Sequence, residues 1–268
     1  MPADADLGNE DLRVTASDDG LVVRATIDRA EKRNALNDAV MDGLADVLDY
    51  ADGSPVRVVV IRGAGGTFCA GGDLESMAGS FGRGAQAFRE GFGGLAGLME
   101  RTVDTGALVV AAVEGYCLAG GMGLAASCDV ILASEGATFG TPEVDVGLLP
   151  AQAMVPIMRT VNEKQGLKPL FTGEHIDAER ADEIGFTSEV VPAEAFDAEL
   201  DDLVDDLAAS SPVMIEMGKD AFYNQREMGF SEALSYMREV IALVAMSEET
   251  EAGIRAFLAD EDPEWKGR

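Results

Sequence analysis

Basic residues are scarce in this chain of 268: 20 Lys and Arg, only five of them lysine, stand against 49 Asp and Glu, a formal charge of −29. So negative a surface repels nucleic acid and anionic lipid, which excludes a non-specific polyanion binder and leaves no nucleic-acid partner expected. Cysteine is also rare. Cys69, Cys117 and Cys128 are odd in number and lack metal-ligand spacing, so neither a disulfide framework nor a zinc knuckle is indicated and no metal is expected. No run approaches the roughly 18 apolar residues that span a bilayer, and MPADADLGNEDL is acidic where a signal peptide is basic and then apolar. The expectation is a cytoplasmic protein without a membrane partner. What is present is a 47% hydrophobic composition, enough to bury a core in one large domain or one domain with an appendage. Acids spread along the whole length read as a halophilic surface adapted to salt; the alternative is an ordinary acidic protein.

Residues 1–11 are expected to form a disordered acidic tail. Residues 12–16 and 21–28 read as strands around the turn Ser17 to Gly20. A helix follows from Asn37, because Val40, Leu44, Val47 and Leu48 share one helical face. VRVVVI at 56–61, ALVVAAV at 107–113 and DVILA at 129–133 are the nearly unbroken apolar runs of strands covered on both faces, and glycine-rich turns and a helix lie between them. That alternation argues for an α/β architecture. From about residue 194 the pattern is helical only: Phe196, Leu200, Leu203 and Leu207 mark one amphipathic helix, and Leu234, Met237, Ile241 and Val244 another. The segment 193–206 holds seven acids and no base, read as a solvated helix face.

Glycine carries the functional information. GAGGTFCAGGDL at 63–74 is not a dinucleotide fingerprint, because Phe68 stands where the third glycine belongs, and the run Ala119 to Gly123 lacks the required spacing. No Gly-Lys-Ser/Thr makes a phosphate loop. A glycine turn without Cβ does let a backbone N–H come close to a ligand oxygen, and two such turns after neighbouring parallel strands could aim two donors at one oxyanion.

The chain resembles the crotonase superfamily, the enoyl-CoA hydratases and isomerases, from residue 12 to Arg268. DRAEKRNALN at 28–37 is similar to that family's CoA-binding loop, VVVIRGAGGTFCAGGDL at 58–74 to the segment with its first oxyanion donor, and VEGYCLAGGMGLAASCDV at 113–130 to the segment with its second. FGTPEVDVGLLP at 139–150, TGEHIDAERADEIGFTSEVVP at 172–192 and GIRAFLADEDPEWKGR at 253–268 fit as well. The resemblance implies a ClpP-like crotonase spiral of repeated ββα units over 12–195, followed by a helical trimerisation segment over 196–268. It implies oxyanion donors at the N–H groups of Gly72 and Gly120, with Asp73 and Leu74 lining the acyl and pantetheine path. Arg33, Ala35 and Leu36 would hold the CoA end, and Trp265 and Lys266 would complete a neighbour's CoA site. No cofactor is implied, since coenzyme A arrives as part of the substrate.

Hydratases of the family use two glutamates. Glu143 matches the second, but the position matching the first is Gly123, so half of the hydratase machinery is missing. A single carboxylate suffices to move a double bond by taking a proton from C2 and returning it to C4, the arrangement of the family's 3,2-enoyl-CoA isomerases. If the 141–146 segment is extended, Asp145 faces the same way as Glu143 and is a candidate second acid; the alternative is a solvated Asp145. Ala151, Gln152, Ala153 and Met154 stand where many relatives carry a glycine-rich turn, which implies a reshaped acyl pocket. His175, the one histidine, has no serine partner in view and reads as solvated, while Cys69 and Cys117 read as buried apolar residues. The expected activity is isomerisation of an unsaturated acyl-CoA. The alternatives are a 2-enoyl-CoA hydratase with a non-standard acid and an idle acyl-CoA-binding relative. The expected assembly is a homotrimer or a dimer of trimers.

Overall fold

A computed structural model describes residues 7–73, 79 and 81–265. The hairpin opens the chain as β1 (Leu12–Ala16) and β2 (Val22–Ile27), paired antiparallel. Helix α1 (Asp38–Asp52) follows, capped by the Asn37 side chain accepting from the Val40 N–H at 2.9 Å. Then come β3 (Val58–Gly63), α2 (Ala85–Asp104), β4 (Leu108–Val113), β5 (Tyr116–Leu118), α3 (Gly120–Ser127), β6 (Val130–Ser134) and β7 (Thr138–Gly140). A 3-10 turn over Pro142–Val146 leads to α4 (Met154–Thr160), α5 (Glu163–Thr172), β8 (Ile176–Asp177), α6 (Ala178–Glu183) and β9 (Glu189–Val191). Four helices complete the described chain: α7 (Phe196–Ala208), α8 (Pro212–Gln225), α9 (Phe230–Ala245) and α10 (Glu248–Ala259).

Six strands form one sheet in the order β1-β2-β3-β4-β6-β9, parallel throughout except for the β1–β2 hairpin, and β5, β7 and β8 form a second small sheet. The strand period of two divides the large sheet's side chains between two cores. Val59, Ile61, Val109 and Ala111 face α1 through Leu44, Val47 and Leu48, whereas Val58, Val60, Val110 and Leu132 face α7 through Phe196, Leu200 and Val204. Burial on both faces is why these strands carry unbroken apolar runs.

Two details refine the sequence reading. Within the expected tail, residues 7–11 are tied down: Asn9 donates through Nδ2 to the Ala39 carbonyl at 2.8 Å, and Asp11 accepts from Asn37 at 2.7 Å. In α7 the buried face is Phe196, Leu200, Val204 and Ala208, with Leu203 and Leu207 at its margin, while the acids of this segment face outward. Helix α9 has the expected periodicity but buries none of its residues within the single chain.

One buried polar cluster fastens the helical part to the sheet. The Lys219 ammonium in α8, 2% exposed, donates to the carbonyls of Thr102 (2.9 Å) and Ala107 (2.8 Å) and pairs with Asp129 at 2.8 Å. Asp129 also accepts from the Val109 N–H at 2.7 Å and the Tyr223 hydroxyl at 2.9 Å. Burial, reinforced by the Asp129 charge, pushes the Tyr223 phenol above its ordinary pKa, which keeps it a donor.

Candidate active site

The two glycine segments meet through main-chain bonds. After β3 the chain runs beside the strand that precedes the second segment: the Phe68 N–H donates to the Glu114 carbonyl (2.9 Å), Cys69 to Tyr116 (3.0 Å), and Leu118 back to Cys69 (2.9 Å). On its other edge Leu36 pairs with Gly72, donating to the Gly71 carbonyl (2.8 Å) and accepting from the Asp73 N–H (3.0 Å). In that parallel pattern the neighbours of Gly72 face Leu36, so the Gly72 N–H points the opposite way. It points toward the second segment: the Gly72 nitrogen lies 3.7 Å from where a Cβ on Gly120 would stand.

Helix α3 starts at Gly120, and its first N–H groups have no acceptor inside the helix. Ala119 ahead of it holds φ 54° and ψ −129°, a conformation that costs an L-residue energy and swings the chain sharply into the helix. It is fixed there by its N–H donating to the Gly140 carbonyl at 2.8 Å. Gly71 is glycine for a matching reason: its φ is +103°, and a Cβ would sit 2.4 Å from the Ala119 Cβ. The Gly72 and Gly120 amides are thus brought side by side, and neither has a backbone acceptor among the described residues.

The third component arrives from β7, which pairs with β5 so that Gly140 lies opposite Leu118. Three residues on, Glu143 sits in the 3-10 turn, half-buried, with Oε2 fully buried and without a hydrogen-bond partner among the described residues. Burial raises its pKa above the ordinary glutamate value, and its backbone contributes a smaller opposing effect. An uncompensated buried carboxyl is poorly suited to a structural role and well suited to holding and passing a proton.

Asp145 is not a companion to it. The segment is a 3-10 turn rather than extended, so residues two apart point about 120° apart instead of sharing a face. Asp145 is exposed, its carboxylate Oδ1 3.4 Å from where a Cβ on Gly173 would stand. The Gly123 position is closed: a Cβ there would meet Ala153 Cα at 2.7 Å and Cβ at 2.8 Å, with Met99 Sδ at 3.5 Å. The two departures from the family's pattern, at residue 123 and after Pro150, are therefore one packing fact. The altered turn is also tied to α2 by Gln152 Nε2 donating to the Phe92 carbonyl at 3.0 Å, and Leu95 of α2 presses on Gly120.

The CoA-like loop is held from beneath by two residues the sequence reading did not single out. Asn34, fully buried and in the left-handed region with Arg33, accepts from the Arg29 N–H at 3.0 Å and donates to the carbonyls of Ala64 (2.9 Å) and Thr67 (2.6 Å). Asparagine tolerates that backbone better than most residues, which was the available signal. Arg29 ion-pairs with Asp73 at 3.2 Å, turning that carboxylate toward the core. Arg33 is exposed and its carbonyl accepts from the Ala70 N–H, Ala35 is half-buried, and Leu36 is buried. Leu74 and Lys266 lie outside the described residues. Trp265 packs on its own chain, donating to the Ala209 carbonyl at 2.6 Å beside Gly253.

His175 is exposed next to Gly140. The three cysteines are buried; burial pushes the Cys69 thiol up to about 12 and raises Cys117 and Cys128 too, which makes all three poor nucleophiles. Among the described residues no group of three or more His, Cys, Asp or Glu is placed to hold a metal ion, and no helix is long and apolar enough to cross a membrane.

Two neighbouring glycine amides, and a buried carboxyl three residues beyond the Gly140 that anchors Ala119, stand on an α/β core with a helical C-terminal segment. Residues 18–268 match the family model described as enoyl-CoA hydratase/isomerase. The chain is 32% identical to 2,3-dehydroadipyl-CoA hydratase of Escherichia coli K12, over 92% of this chain and 96% of that one. It is 32% identical to the mitochondrial enoyl-CoA hydratase domain-containing protein 3 of Rattus norvegicus, over 95% and 84%. The crystal structure of an enoyl-CoA hydratase from Mycobacterium smegmatis superposes with a TM-score of 0.91 at 30% identity, covering 97% of this chain and all of the other. The chain belongs to the enoyl-CoA hydratase/isomerase family and has the crotonase fold.

Proposed function

We propose that this protein isomerises an unsaturated acyl-CoA, moving a 3,4 double bond into conjugation with the thioester. Glu143 takes the proton from C2, the electron pair moves onto the thioester oxygen as a dienolate held by the Gly72 and Gly120 amides, and Glu143 returns the proton to C4. No water is consumed. Each donor to such an oxyanion typically lowers the barrier by about 3–4 kcal/mol. The observation that carries this reading over hydration is the closure of the Gly123 position by Ala153, because hydration in this family needs a second carboxylate there. Arg33, Ala35 and Leu36 are assigned to the CoA end, where the exposed Arg33 offers a cation for phosphate.

Several relatives carry hydratase names, so water addition is the second reading. Purified protein in concentrated KCl, offered 3-enoyl-CoA and 2-enoyl-CoA in parallel, separates the two. Conversion of the first alone supports isomerisation, hydration of the second replaces it, and binding without turnover leaves an idle acyl-CoA-binding relative.

The raised pKa of Glu143 sets the pH response. The base must be ionised to accept the C2 proton, so kcat/KM is expected to fall on the acid side with a midpoint above the ordinary glutamate value of 4.5. A midpoint at or below 4.5 in the pH–rate profile would remove Glu143 as the base.

The assembly is proposed to be a homotrimer or a dimer of trimers built through the helical C-terminal segment, where Phe230, Leu234 and Ile241 of α9, Met246 just after it and Phe257 of α10 stand exposed. With a charge of −29 per chain, the mutual repulsion of subunits needs counter-ions. At 1 M salt the screening length is about 3 Å, and at 0.01 M about 30 Å. We therefore expect sedimentation to show the oligomer in molar KCl and its dissociation or unfolding in dilute buffer; an intact oligomer in dilute buffer would contradict salt adaptation.

A further inference from the structure

We infer that Arg29 is a positioning residue for the oxyanion site, neutralising the carboxylate of Asp73 that directly follows the donor Gly72. The inference rests on the assignment of Gly72 as a donor. Asp73 is fixed close behind that amide, because its own N–H donates to the Leu36 carbonyl and its side chain is only 13% exposed. A carboxylate so placed opposes negative charge appearing on a thioester oxygen in front of Gly72. The guanidinium of Arg29 answers it at 3.2 Å, itself nine-tenths buried.

The same side chain reaches two other elements. Its second terminal nitrogen donates to the Ala35 carbonyl in the CoA-like loop, and Nε pairs with Asp11, 3.3 Å away at the entry to β1. Its backbone is locked as well, with the N–H donating to Asn34 and the carbonyl accepting from the N–H groups of Lys32 and Asn34. Arg29 therefore stands where the loop assigned to CoA and the turn bearing the first donor touch. Three groups are held by one planar fork, which a lysine ammonium could not reproduce in full.

The variants are Arg29→Gln, Arg29→Lys and Arg29→Gln/Asp73→Asn. The measurements are kcat, KM and the carbonyl stretch of bound butanoyl-CoA labelled with 13C at C1. Wild-type enzyme should lower that stretch relative to free thioester; if it does not, the oxyanion reading itself fails, independently of Arg29. With the wild-type shift present, Arg29→Gln is expected to lose most of it and to lower kcat on the order of 10–100-fold, with KM within a few-fold. The double variant, with no carboxylate left to neutralise, should be more active than Arg29→Gln alone. A purely structural role also predicts some recovery on withdrawing the stranded charge, but it leaves the carbonyl shift of folded Arg29→Gln at the wild-type value. The wild-type carbonyl shift retained in Arg29→Gln, or a double variant no better than the single, would overturn the inference. Should Arg29→Gln not fold, Arg29→Lys decides: the wild-type carbonyl shift retained by a lysine supports neutralisation by charge, and its loss overturns it.

Discussion

Glu143→Gln is expected to lower turnover by about 10²–10⁴-fold, the usual contribution of a positioned acid–base group, while leaving acyl-CoA binding nearly intact. Glutamine keeps the shape and removes only the ability to carry a proton between C2 and C4. The same substitution should make the protein more stable at neutral pH. Burial raises the folded-state pKa of Glu143, so the unfolded chain ionises first as pH rises, and folding stability drains away between the ordinary value of 4.5 and the raised one. Above that window the wild type carries an unfavourable buried charge that glutamine lacks. Below pH 4.5 both forms are neutral and the difference should vanish. Thermal melts of the two proteins across pH, set beside their turnover numbers, check both halves; equal activity would dismiss Glu143 from the chemistry.

Lys219→Met should be the most destabilising of the single changes considered. It leaves Asp129 buried without its cation, and breaking one side of a buried ion pair costs about 3–5 kcal/mol, a large part of the roughly 5–15 kcal/mol that holds a typical domain together. At the entropy of unfolding of a chain this size the melting temperature falls by roughly 5–9 °C. Two carbonyls, of Thr102 and Ala107, also lose their donor. Asp129→Asn in the Lys219→Met background should recover part of the loss, because it withdraws the stranded charge. Recovery cannot be complete, since Asp129 also ties the Val109 N–H and the Tyr223 hydroxyl. Denaturant titration in molar KCl measures these differences, and a change below about 1 kcal/mol would mean that α8 is held by its apolar contacts alone.

How far the sequence reveals this molecule depends on how many residues share each signal. Val58 to Ile61 and Val109 to Val113 announce central strands because both faces of the sheet are covered, so every position is apolar. The helix from Asn37 is legible from its period and its cap. Strands β5, β7 and β8, of two or three residues, are too short to leave a pattern, although they set Gly140, three residues before Glu143, opposite Leu118. Proline's fixed φ suits the first position of the 3-10 turn at 142, and that turn bears out the reading of Asp145 as solvated over the one that made it a second acid. Arg29 and Asn34 hold the loop from beneath, and isolated buried polar residues carry no periodicity to give them away. The glycine at 123 and the alanine at 153 were each visible as departures, but only their contact shows that one answers the other.

The ladder joining Cys69 to Leu118 and Ala119 to Gly140 stitches three passes of the chain into one rigid frame. Helix α2 and the turn after Pro150 lie outside that ladder and are tied to each other by Gln152 donating to Phe92. Ala153 of that turn fills the space beside Gly123 and Leu95 of α2 presses on Gly120, so a change of side chain in either is felt at the frame itself.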